Sequence, residues 1–179
     1  MTAISDIYLA HGASGTAASM EPWTGALTQH GYPATPVQLP RGSAERAVSA
    51  YRAAVPRLAG AAIGGHSFGG RVASLLAAEE RPAAVILLSF PLHPPGGADR
   101  WEQRTAHFGS ISCPVLLLSG DRDPFARIEL LRQAVDRLPD GELVVFPGQR
   151  HGLAPVREGA LDLIAAFLDR VAQGSSAPS

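Results

Sequence analysis

At 179 residues, 46% of them apolar and 17% charged, the chain is long enough for one full hydrophobic core, short for two, and too apolar to remain disordered. A net charge of -1 excludes the basic field by which nucleic-acid and anionic-membrane binders work. All 15 basic residues are arginines and Cys113 is the single cysteine, which excludes a Schiff-base lysine, a phosphate-loop lysine, an internal disulfide and a cysteine-rich zinc site.

In chain order, residues 7–10 read as a short apolar strand running into His11-Gly12-Ala13-Ser14-Gly15, a loop of small residues, and residues 17–29 as a helix closed by Gly31. Residues 34–39 read as a strand that Pro36 confines to the neighbourhood of a sheet edge. Ser43 is a candidate N-cap for a helix over 44–58. Residues 61–64 form the next strand, and Ser67 follows between Gly65 and Gly69 in the pattern G-x-S-x-G. A helix over 68–80 begins at once, with Val72, Leu75, Leu76 and Glu79 at helical spacing. Such a strand, turn and helix holds the serine in a strained backbone conformation with its hydroxyl outside the core, and the glycines stand where two backbones pass too close for a Cβ.

Residues 84–89, Ala-Val-Ile-Leu-Leu-Ser, are apolar on both faces, as a central parallel strand is. Residues 90–112 are a long connection carrying Pro91, Pro94, Pro95, Gly96 and Gly97, with a short helix expected around 99–108; a connection of that length in a compact domain is more often functional than idle. Strands over 115–119 and 142–146, helices over 125–138 and 155–171, and a loop over 147–152 complete the pattern. The expectation is a single α/β domain over 1–172 with a solvated tail over 173–179, built on a parallel sheet of about six strands with helices on both faces. Residues 1–6 carry no basic and apolar leader, and no run reaches about 18 apolar residues. A cytoplasmic protein without signal peptide or membrane span is expected.

Ligands of parallel sheets bind beyond the carboxyl ends of the strands, and four chemistry-bearing residues fall there: His11, Ser67, Asp123 and His151. A serine hydroxyl needs a base to take its proton. His151, in the loop after the last strand and before Gly152, is the candidate, against the plainer reading of a surface loop histidine. The base in turn needs a carboxylate to fix its tautomer, and Gly120-Asp121-Arg122-Asp123-Pro124 offers two. Asp123 before Pro124 also suits a helix N-cap, so position alone leaves the choice open. The order serine, acid, histidine is that of α/β-hydrolases and differs from trypsin-like and subtilisin-like orders.

The segments His11-Gly12-Ala13-Ser14-Gly15, Gly65-His66-Ser67-Phe68-Gly69-Gly70-Arg71, Phe90-Pro91-Leu92-His93-Pro94-Pro95-Gly96, Gly120-Asp121-Arg122-Asp123-Pro124-Phe125 and His151-Gly152 resemble the small, capless α/β-hydrolases related to dienelactone hydrolase. Most closely they resemble the subfamily grouped with a testis-expressed hydrolase-like protein and a subunit of a chromatin acetyltransferase complex. The resemblance spans nearly the whole chain and implies Ser67 as nucleophile, Asp123 rather than Asp121 as acid, and His151 as base. Against the larger fold, the first two strands and any inserted cap domain are missing, which implies a shallow site.

Attack on an ester carbonyl develops charge on its oxygen. The motif's geometry makes the amide of Phe68 one oxyanion donor and assigns the other to the loop after the first strand, Ala13 with Gly12 as the alternative. His11, His93 and Trp101 are the candidate substrate contacts. In the plainer reading His11 shapes the oxyanion loop; Leu92, His93, Trp101 and Phe108 either form a partial lid over Ser67 or cover the sheet end. His66 packs beside the elbow, His30 and His107 lie at the surface, and Cys113 is a buried small hydrophobe. No cofactor, metal, nucleic acid or membrane is expected. The expected function is a serine hydrolase of a small ester or thioester, as monomer or homodimer. Its rivals are an interaction protein of the same fold and an acyltransferase.

Overall fold

The computed structural model describes residues 4–174; the remainder of the expected tail, residues 175–179, lies outside them. Six strands, β1 (Asp6–Ala10), β2 (Ala34–Val37), β3 (Ala61–His66), β4 (Ala84–Leu88), β5 (Val115–Gly120) and β6 (Gly141–Phe146), form one sheet in the order β2-β1-β3-β4-β5-β6, and every neighbouring pair is parallel. Helices α1 (Glu21–Gln29), α2 (Ala44–Ala54), α3 (Phe68–Glu79), α4 (Trp101–Arg104), α5 (Ile128–Val135) and α6 (Arg157–Ala172) supply the crossovers. β2, which contains Pro36, is an edge strand.

Side chains alternate across each strand, and the alternation sorts the core into two layers. Ile7, Leu9, Ile86, Leu88, Leu116 and Leu118 face Trp23 and Leu27 of α1 and Ile164, Phe167 and Leu168 of α6. Ile63, Val85, Leu87, Val115 and Leu117 face Tyr51 of α2, Val72 and Leu76 of α3, and Leu131 of α5. The chain leaves β1 for β2 on one side and returns to β3 on the other. That reversal opens a crevice at the carboxyl ends of β1 and β3, the place where open parallel sheets hold ligands. No cap domain covers it among the described residues. None of the described helices is long and apolar enough to cross a membrane.

Four helices are shorter than their sequences suggest: α1 follows a 3-10 turn over Ala17–Met20, α4 is confined to Trp101–Arg104, and α2 and α5 are cut back by their neighbours. α2 stops at Ala54 because Pro56 forces the residue before it out of the helical region; Val55 has φ -110° and ψ 98°. Its start is as expected, with the Ser43 hydroxyl accepting from the Arg46 amide. The helix expected over 125–138 begins only at Ile128, after an extended Arg127. Residues 123–126 form a turn in which the Asp123 carboxylate accepts from the Phe125 amide (2.8 Å) and its carbonyl accepts from Ala126. Asp123 is therefore not the N-cap of α5.

The long connection from β4 to β5 folds onto the sheet end. Phe90, Leu92 and Phe108 are fully buried, the two phenylalanine rings packing edge to face at 5.2 Å, so these three residues belong to the core that closes the sheet end. His107, expected at the surface, is half-buried, its Nε2 2.8 Å from the Ser74 hydroxyl of α3. Burial, with the nearby Arg71 charge adding to it, lowers its pKa to about 4 from an ordinary 6.5. As the pH falls the unfolded chain takes up this proton first, so the residue lowers stability progressively between pH 6.5 and about 4 and no further below that. His107→Gln, which keeps a donor, removes that component. Urea melts should show the wild-type minus variant difference flat above pH 6.5 and falling by about 2 kcal/mol towards pH 4, a figure reduced for partial exposure; parallel stability curves would refute the assignment.

Candidate active site

Ser67 joins β3 to α3 with φ 49° and ψ -113°, a conformation that costs a non-glycine residue about 1–3 kcal/mol and persists only where its surroundings enforce it. Its amide donates to the Leu88 carbonyl of β4 (2.9 Å). On the other side the turn lies against the end of β1: a Cβ on Gly65 or on Gly69 would fall 2.3 Å from the Ala10 carbonyl oxygen. The elbow is thus clamped between the strands on either side of β3, and glycine is required at both positions by close approach.

Three side chains from the ends of three strands meet at this turn. The Ser67 hydroxyl lies 2.8 Å from His151 Nε2, and His151 Nδ1 lies 2.8 Å and 3.0 Å from the Asp123 carboxylate oxygens. A carboxylate only accepts, so Nδ1 carries the proton and Nε2 is left to accept from the serine. The Asp123 side chain is completely buried while a quarter of the His151 side chain is exposed. Phe125 packs against the His151 ring at 4.5 Å. From the other side His66 Nε2–H donates to the His151 carbonyl (2.9 Å), tying the His151 backbone to the residue before the serine. Burial first of all holds the His66 ring below the ordinary histidine pKa, and the His151 ring adds to this.

A cavity of about 220 Å³ opens at Ser67, bounded by Ala13 and Phe68 on one side and by Pro91, His93 and Phe125 on the other. Phe68 is the first residue of α3, so its amide has no acceptor within the helix. The loop carrying Ala13 is held close: a Cβ on Gly12 would meet His66 Nδ1 at 3.0 Å and Ser67 Cβ at 3.8 Å.

The structure separates the remaining sequence candidates. His11 is buried, its Nδ1–H donating to the Gly12 carbonyl (2.7 Å) and its Nε2 accepting from the Leu39 amide (3.0 Å). With both nitrogens occupied and no place in the cavity lining, it braces the loop. His93 lines the cavity but likewise spends both nitrogens on backbone, donating to the Pro94 carbonyl and accepting from the Arg127 amide. Trp101 turns away to pack on the core beneath the Arg137 guanidinium at 4.3 Å. Gly152 needs no left-handed backbone, so the aim of His151 comes from its contacts with His66, Phe125 and Asp123. Asp121 accepts from the Gly148 amide (2.7 Å) and fastens the turn after β6. Sequence reasoning missed Arg71 and Arg104, which also line the cavity; the one available signal was the arginine closing Ser67-Phe68-Gly69-Gly70-Arg71, one helical turn beyond the serine.

A family model described as alpha/beta hydrolase domain matches residues 38–177. No curated protein sequence matches the chain. Among solved structures, the monoacylglycerol lipase of Paleococcus ferrophilus superposes with a TM-score of 0.78 at 17% identity, covering 92% of this chain and 94% of the other. The esterase Pf2001 of Pyrococcus furiosus gives 0.77 at 17% identity, covering 94% and 82%. Est1E from Butyrivibrio proteoclasticus gives 0.74 at 17% identity, covering 96% and 89%. At these identities the likeness is one of fold.

Proposed function

Because the chain belongs to the alpha/beta hydrolase domain family, we propose that it is a serine hydrolase that cleaves a small ester or thioester through an acyl-enzyme formed on Ser67. The observation that carries this reading is the unbroken hydrogen-bond chain from the Ser67 hydroxyl through His151 to Asp123. The narrower kinship with dienelactone-hydrolase-related proteins is part of the proposal and rests on the sequence motifs.

The chemistry follows from the atoms in place. Ser67 Oγ attacks the carbonyl carbon while His151 Nε2 takes its proton, and the charge that appears on Nδ1–H faces the buried Asp123 carboxylate. The oxygen of the tetrahedral intermediate lies against the amides of Phe68 and Ala13, each such donor typically being worth about 10² to 10³ in turnover. His151 then gives the proton to the leaving oxygen or sulfur, and water repeats the sequence to free the acid and restore Ser67. The uncapped crevice and a cavity of about 220 Å³ suit a short acyl group.

Incubation with a fluorescent fluorophosphonate is expected to label the folded protein once, on Ser67, and Ser67→Ala is expected to abolish both the label and hydrolysis of short p-nitrophenyl esters. Absence of label on folded wild type, or label retained in Ser67→Ala, would remove the serine from the chemistry.

A further inference from the structure

Beside the cavity at Ser67 lies a second, of about 360 Å³, and the two share Arg71 and Arg104 in their linings. Arg100, Gln103 and Glu45 complete the lining of the second. Three guanidinium groups thus face a single carboxylate, leaving two positive charges uncompensated among the lining residues. Glu45 takes one nitrogen of Arg71, Nη2, at 2.5 Å. Arg71 Nε is buried and has no partner. Among the described residues neither Arg100 nor Arg104 pairs with a carboxylate; Arg104 Nη1 reaches only the Pro91 carbonyl, at 3.3 Å.

This arrangement is costly unless something fills it. A buried donor without an acceptor is unfavourable, and like charges sharing a partly desolvated space repel. Burial, and after it the Arg71 charge, pulls the Arg104 pKa below the ordinary arginine value, and the Arg71 field reaches as far as His107. Arg71 is four residues past Ser67 on the helix that Ser67 begins, its amide donating to the Ser67 carbonyl at 3.0 Å; that offset is about 6 Å along the helix axis. An anion held there would sit a few bonds away from a carbonyl under attack by Ser67.

We propose that the Arg71, Arg100 and Arg104 pocket binds a phosphate monoester group of the substrate, so that the hydrolase acts on short acyl esters or thioesters whose leaving half carries a phosphate two or three carbons from the scissile bond. The proposal rests on the reading of Ser67 as nucleophile for the position of the scissile bond, while the anion site itself does not depend on it. A phosphate monoester near neutral pH carries close to two negative charges and three acceptor oxygens. It matches the two uncompensated charges, supplies an acceptor for Arg71 Nε, and suits the planar guanidinium fork. A carboxylate would leave one charge unmet.

Three butyryl esters separate the possibilities: of glycerol 3-phosphate, of glycerol, and of a hydroxy acid of similar length. The kcat/KM for the phosphate ester is expected to exceed that for the glycerol ester by about 10- to 100-fold, the worth of one or two charge-assisted hydrogen bonds. That ratio should fall towards one in Arg104→Gln and in Arg100→Gln, the second being an exposed site that folding tolerates. Titration calorimetry with glycerol 3-phosphate should show binding to wild type that weakens about 10-fold in the same variants. Equal kcat/KM for all three esters, or a preference for the hydroxy-acid ester, overturns the phosphate assignment and leaves the hydrolase intact. Binding of glycerol 3-phosphate without hydrolysis of any ester supports the anion site and removes the hydrolase. Neither binding nor hydrolysis overturns both.

Discussion

Asp123→Asn is expected to lower kcat for p-nitrophenyl ester hydrolysis by about 10⁴-fold, and Asp121→Asn by no more than a few-fold. The size of the first effect follows from a tautomer. Asp123 Oδ1 accepts from the Phe125 amide at 2.8 Å, so an asparagine in this place turns its carbonyl oxygen towards that amide and its NH₂ group to the position of Oδ2, 2.8 Å from His151 Nδ1. Two donors cannot face each other, and Nδ1 must give up its proton and accept. The ring proton then resides on Nε2, which can no longer take one from Ser67. Asp121 only accepts from the Gly148 amide, a role that an asparagine oxygen fills. The same kinetics on both variants settle the matter; a large loss with Asp121→Asn and a small one with Asp123→Asn would transfer the acid's role.

Gly64→Ala is expected to destabilise the fold by about 3 kcal/mol or more, enough to prevent recovery of folded protein at 37 °C if the chain is of ordinary marginal stability. A Cβ at this position would lie 1.9 Å from the Ile86 carbonyl oxygen and 2.8 Å from its carbon, a clash with strand backbone that no rotamer relieves. The opposite side offers no room for retreat. The Gly64 amide donates to the Tyr51 hydroxyl at 2.9 Å, and that hydroxyl lies 2.6 Å from the Gly64 carbonyl and 2.8 Å from the Tyr8 carbonyl. One buried phenol from α2 serves the backbones of two adjacent strands. Urea unfolding reads the effect directly, and a variant within 1 kcal/mol of wild type would show that β3 can shift more than this packing allows.

Much of the architecture was legible because burial on both faces leaves a plain mark: Ala-Val-Ile-Leu-Leu and Val-Leu-Leu-Leu could only be central strands. The elbow was legible because its glycines answer to steric demands that no other residue meets. What escaped were features set by contacts between distant segments. Pro56 in the expected 44–58 helix should have ended it, and did. The late start of α5 could not be foreseen, since it depends on the Asp123 turn and on the Arg127 amide donating to His93. Histidines were the hardest to place: nothing local tells that His107 docks on Ser74, or that His11 and His93 use both ring nitrogens to hold backbone. Arg71 and Arg104 looked like ordinary charges in a chain of 15 arginines, and only the fold shows them sharing one pocket.

The brace through His11 carries a further consequence. It runs from the Gly12 carbonyl to the Leu39 amide, and so connects the loop against Ser67 to the exit of β2, a four-residue edge strand with a single neighbour. Short edge strands are where sheets open first in local fluctuations. Fraying of this edge would cost His11 its anchor on Leu39 and loosen the loop after β1, one strand in from the edge. The loop beside Ser67 is thereby tied to the margin of the fold as well as to the core strands on which Ser67 stands.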